Sequence, residues 1–200
     1  MKALFYKDII ALKGNLKALL IVLVFDFVVI KAGFPDMAYL ISTFWLIDFV
    51  SRTFDTENKN NFYKYVISNA VDEKIIVIYK YILVFLAIIL IFLIDFSFAF
   101  LTGVDKTIYR FLIFSNLNIL LYEILIPIFF RFGKIAREVI RILVGIVYVL
   151  GIFYMVKDGR LFSFDIFTNM NIFLIGWLIA LVLFVFSFGL SLKFIKKKVE

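Results

Sequence analysis

The 200 residues are 64% apolar and 18% charged, with a mean hydropathy of +1.07, whereas a soluble core usually draws on about 45–50% apolar residues. This excludes one small soluble domain and predicts a single transmembrane domain over residues 1–200, counted in spans of about 20 residues, the length that crosses roughly 30 Å of hydrocarbon. The net charge of +7 collects at span ends, so membrane lipid and not nucleic acid is the expected polyanionic neighbour. With no Cys and no His, disulfides, thiolate metal sites and the commonest general base are excluded, and no catalytic or metal-binding residue is predicted.

In chain order, Met1 to Asn15 sets Lys2, Lys7, Asp8 and Lys13 among Leu4, Phe5, Ile9 and Leu12, a pattern for an interfacial helix. No small-residue cleavage site follows the first apolar run and Asp26 interrupts it, so that run is expected to stay as a span. The predicted spans are Leu16 to Phe34, Met37 to Phe54, Ile75 to Leu101, Ile108 to Phe130, Val139 to Val156 and Ile172 to Leu192. Pro35-Asp36 is expected as a tight turn between the first two, and Thr102-Gly103-Val104-Asp105 between the third and fourth. Phe162, Phe164, Ile166 and Phe167 fit either an outer interfacial segment or a short aromatic belt.

Seventeen of the Lys and Arg residues fall on the side of the termini, counting Arg52 to Lys80, Arg131 to Arg141 and the four C-terminal lysines, and five fall on the other side. The excess predicts a multi-pass protein of the plasma membrane with cytoplasmic N- and C-termini.

The longest polar interruption, Ser51 to Tyr81, lies on that cytoplasmic side. Asn60 or Asn61 can cap a short helix Phe62 to Ser68, Asn69 can end it, and Asp72 can cap the third span. Phe62, Tyr63 and Tyr65 fit a helix that docks a cytoplasmic partner and fit equally a solvated loop with interfacial tyrosines.

The pattern Phe54-Asp55-x-Glu57-x-Lys59, Phe62-x-Lys64-Tyr65, Val71 and Ile76-Val77-x-x-Lys80-Tyr81 resembles the loop of ABC-2 type transporter permeases. Leu4-Phe5-Tyr6-Lys7-Asp8 and Ser191-Leu192-Lys193-Phe194-Ile195-Lys196 are similar to that family's ends. The family's Pro is Ala70 here, and its Ser-Arg corresponds to Asp72-Glu73, so one basic position has become acidic.

The resemblance implies an all-α membrane protein of six transmembrane helices with a short coupling helix between helices 2 and 3. It implies the membrane subunit of an ABC exporter that forms a homodimer, or a heterodimer with a sister permease, and docks a cytoplasmic ABC ATPase. Phe62, Tyr63, Tyr65, Val66 and Asp72 stand at the positions of that contact. This chain has no G-x-x-x-x-G-K-[ST] loop, so no cofactor is expected in it; ATP and Mg would belong to the ATPase.

Asp26, Asp48, Asp95 and Glu123 fall in the first four spans. One Asp at a span centre costs roughly 2.5–3.5 kcal/mol, so several facing lipid would cost on the order of 10 kcal/mol. Asp48 lies near a span end and can snorkel. Asp26, Asp95 and Glu123, with Asn116 seven residues before Glu123 on the same face, fit a translocation path for an amphipathic, cationic substrate such as a peptide, or hydrogen-bond links between helices. Pro127 leaves the Glu123 carbonyl without its usual donor.

Two further readings use the same residues: an ion- or proton-coupled secondary carrier, and a non-transporting immunity or sensor subunit. An intramembrane hydrolase lacks a Gly-x-Gly-Asp segment and a convincing buried Lys.

Overall fold

The computed structural model describes residues 2–33, 35–59, 62–68, 71–103, 108–133, 135–140, 142–143, 145–146 and 170–199, and every regular element among the described residues is helical. We number the helices α1 (Lys2–Lys31), α2 (Pro35–Lys59), α3 (Phe62–Ser68), α4 (Glu73–Thr102), α5 (Ile108–Phe132) and α6 (Met170–Val199). Residues 135–140 are also helical.

The interfacial helix and first span expected separately are one uninterrupted helix of 30 residues, because nothing between Lys2 and Lys31 breaks the i to i+4 ladder. The turn after it also differs from expectation. It falls at Ala32 and Gly33, where the Gly33 N–H donates to the Ile30 carbonyl at 3.0 Å with φ of 90°, a conformation glycine adopts without penalty. Pro35 belongs to the next helix as its first residue, where its fixed φ suits the first turn and its missing N–H is not needed.

The short helix stands at Phe62–Ser68 as expected, and Asp72 caps α4 by accepting from the Lys74 N–H at 2.8 Å. Gly103 closes α4 in a left-handed conformation, its N–H bonded to the Ala99 carbonyl at 3.0 Å. The expected caps at Asn60, Asn61 and Asn69, the remainder of the turn at Val104 and Asp105, most of the fifth span and the aromatic segment at Phe162 to Phe167 lie outside the described residues.

Three helical stretches among the described residues are long and apolar enough to cross a membrane: Glu73–Thr102, Phe114–Phe132 and Leu174–Lys197. They coincide with the third, fourth and sixth predicted spans. Along α4 and α6 rows of Ile, Leu and Phe stay exposed, as side chains facing hydrocarbon rather than a protein core do.

The main core lies at the end of the bundle that holds α3. Phe54 of α2, Tyr63 of α3, Ile76 of α4 and Phe129 and Phe130 of α5 meet there, all buried. Phe54 stacks on Phe129 and meets Phe130 edge-on, with centroids 5.5 and 4.8 Å apart. A smaller cluster around Ile30, Tyr39, Ala99 and Phe114 joins the opposite ends of α1, α2, α4 and α5.

Candidate functional site

The short helix α3 is held by buried charge. Glu57, near the end of α2, accepts from the Tyr63 hydroxyl of α3 at 2.6 Å and from the Lys80 ammonium of α4 at 2.7 Å, and it also pairs with Lys7 of α1. Asp8 of α1 accepts from the Tyr79 hydroxyl at 2.7 Å and from Lys80 at 3.3 Å, with Lys7 at 3.4 Å from its other oxygen. Lys80 completes its set of three donors on the Thr53 hydroxyl at 3.1 Å.

Asp8, Glu57 and Lys80 are each at most 2% exposed, which only mutual pairing makes tolerable. Two acids and two bases balance, and four helices converge on them. Aromatic faces close the cluster: Lys7 lies 4.1 Å from the Phe62 ring centroid and Lys80 4.9 Å from that of Phe54. Burial first, and then the Glu57 carboxylate, push the Tyr63 phenol well above its usual value, so Tyr63 stays a donor at any physiological pH.

From the sequence, Lys7 and Lys80 are expected among the span-end bases, with no convincing buried Lys; Lys80 is in fact fully buried. Held between two carboxylates, its ammonium ties α1, α2 and α4 together. The other acid of the α2 motif is also used, since Asp55 is buried and pairs with Arg137 of the helical segment 135–140. Asp48 pairs with Arg52 one turn away and remains half-exposed.

Of the five residues expected at the partner contact, four divide between two sides of α3 and Asp72 caps α4. Tyr63 points inward at 3% exposure, and Phe62 and Val66 pack partly buried against the core. Tyr65 is 69% exposed, and Lys64 and the Asp72 cap are exposed as well. The outer face of α3 is therefore Lys64 and Tyr65.

The four polar residues expected along a path fall into two places. Asp26 of α1 and Asp95 of α4, both fully buried, meet across Ser42 of α2, whose hydroxyl donates to Asp26 at 2.7 Å and lies 3.4 Å from Asp95. This pair joins three helices inside the bundle. Asn116 and Glu123 lie on α5 against α6, Asn116 touching the backbone at Gly176, where a Cβ would stand 2.9 Å from its side-chain oxygen.

Beside Glu123 the consequence of Pro127 is visible. The carbonyl that Pro127 cannot serve accepts from the Ser187 hydroxyl of α6, Ser187 is bonded in turn to the Tyr81 hydroxyl of α4, and Tyr81 reaches Ser191 at 3.2 Å. Tyr81 follows Lys80 directly, so adjacent residues of α4 hold the buried charges on one side and the α5–α6 contact on the other. Ser187→Ala should lower stability by about 1 kcal/mol, and much less in a Pro127→Ala background that restores the N–H; a double-mutant cycle on thermal unfolding in detergent checks this.

Apolar helices long enough to cross a membrane, with the short helix α3 anchored just before the first of them, make this a helical membrane protein in class. A family profile described as ABC-2 family transporter protein matches residues 3–196, and the chain belongs to that family. No curated protein and no solved structure matches it. It is thus an ABC-2 type permease, a membrane-embedded multi-pass protein.

Proposed function

We propose that the chain is the six-span permease subunit of an ATP-driven exporter in the plasma membrane, with both termini and α3 in the cytoplasm. It pairs with itself or with a sister permease and docks a separate ABC ATPase, which holds the ATP and Mg, on the outer face of α3. Its substrate is amphipathic, with a cationic peptide as one form. Permeases of this family normally work with an ABC ATPase, which is the first support.

The observation that carries the reading is the two-sidedness of α3. Tyr65 faces out, while Tyr63 on the same seven-residue helix is bonded to Glu57 within the buried charges. A partner closing on Lys64 and Tyr65 pushes on a helix that cannot swivel without exposing or unpairing Glu57. The displacement then passes through Lys80 into α4, and through Tyr81 and Ser187 to the break at Pro127.

Co-purification in mild detergent tests this. An ABC ATPase, identified by its own peptide sequence, should accompany the wild type and be lost from the Lys64→Ala, Tyr65→Ala double variant with its melting temperature unchanged. A wild type that purifies alone, and moves substrate in vesicles without any ATPase, would instead be a coupled carrier.

A further inference from the structure

Glu123 lies on the floor of a lateral groove that neither the buried charges nor α3 uses. The groove has a volume of about 360 Å³ and runs between α4 and α6, with α5 beneath. That is a size that takes a small organic molecule. Its walls are aliphatic and aromatic, Tyr81, Phe85, Trp177 and Phe184 among them, and its mouth is rimmed by exposed Ile82, Leu86 and Leu181. It therefore opens sideways, toward lipid, rather than along the bundle.

Among its lining residues there is one carboxyl and no base. Glu123 is 6% exposed, and its Oε2 has no hydrogen-bond partner among the described residues. An unpartnered buried carboxyl oxygen is costly to maintain, and aromatic faces around a carboxylate are the usual surroundings of an organic cation. A lipid acyl chain would fill the apolar walls and leave the carboxyl unanswered.

We propose that this groove is a binding site for lipophilic organic cations, entered from the membrane, with Glu123 facing the charge and Tyr81, Trp177 and Phe184 facing the apolar body. The proposal deepens the exporter reading by naming where its amphipathic cation sits. A ligand there touches Tyr81, next in sequence to Lys80, so occupancy bears on the same turn of α4 that the ATPase side reaches.

The test is equilibrium binding to the purified permease in phosphatidylcholine nanodiscs, which needs no ATPase. The probes are tetraphenylphosphonium and, as a neutral counterpart, triphenylphosphine oxide. Wild type should bind the cation saturably, Glu123→Gln should weaken it about tenfold with little change for the neutral compound, and Ala180→Leu, which narrows the groove, should weaken both. Thermal unfolding of each variant shows that it is folded.

Cation binding unchanged in folded Glu123→Gln, or a groove holding phospholipid that the cation does not displace, would overturn the site. Failure of an ATPase to co-purify would overturn the exporter reading while leaving a binding result intact, so the two failures are distinguishable.

Discussion

Lys80→Met should be among the most destabilising single changes in the chain, by about 3–5 kcal/mol, the usual cost of removing one partner from a buried ion pair. The substitution leaves Asp8 and Glu57, both buried, with only Lys7 to share, and leaves the Thr53 hydroxyl without its ammonium contact. Charge imbalance, and not lost volume, is the expected cause. Lys80→Met combined with Asp8→Asn returns the cluster to one acid and one base and should recover a substantial part of the loss. Lys80→Arg should fall between, because the longer planar guanidinium cannot reproduce the three contacts of the ammonium. Thermal unfolding in detergent measures all three, and a double variant no more stable than Lys80→Met would show that packing rather than charge balance governs the site.

Tyr63→Ala should cost about 3–5 kcal/mol, as truncation of a buried aromatic generally does. Its ring packs 5.8 Å from that of Phe130 and 6.1 Å from that of Phe62, so truncation opens a cavity between α3 and α5. Tyr63→Phe keeps the ring and removes the hydroxyl from Glu57, which still holds Lys7 and Lys80; about 1.5–3 kcal/mol is the scale of a hydrogen bond to a charged group. Tyr65→Ala, on the exposed side, should change stability by no more than about 0.5 kcal/mol while removing the partner. The contrast separates an inner anchor from an outer contact, and stability and co-purification measured on the same three variants read it out. Equal loss of partner from Tyr63→Phe and Tyr65→Ala would mean that the partner reads the position of the whole helix and not its outer face.

How much of this was legible in the sequence follows from what each signal depends on. The Phe62–Ser68 helix and the Asp72 cap are local, set by residues within a turn of one another, and they stand where the residues placed them. The orphaned Glu123 carbonyl was also legible, because proline's missing donor is a covalent fact; that Ser187, 64 positions away, would supply the donor was not. Gly33 competed with Pro35 for the first turn, and proline's fitness for a first helical position moved the turn upstream.

The buried charges were missed for a different reason. Lys7 and Glu57 are 50 positions apart and Asp8 and Lys80 are 72 apart, and Glu57 and Lys80 lie on different helices, so each alone reads as an end-of-span charge. A usable signal existed: Lys80 lies among Ile76, Val77, Tyr79, Tyr81 and Val84, and a lysine in such surroundings calls for an acid from elsewhere. Asp26 and Asp95 stand out in the sequence by the cost of placing them in hydrocarbon, but only the packing of α1, α2 and α4 shows that Ser42 joins them.

Photocrosslinking tests most directly whether the outer face of α3 is the ATPase contact. A photoreactive residue is placed at position 65 in one preparation and at position 63 in another, and membranes are illuminated with the full transporter present. A covalent adduct to an ABC ATPase is expected from position 65 and none from position 63. An ATPase that co-purifies yet forms no adduct at position 65, or forms one equally from both positions, would contradict this expectation.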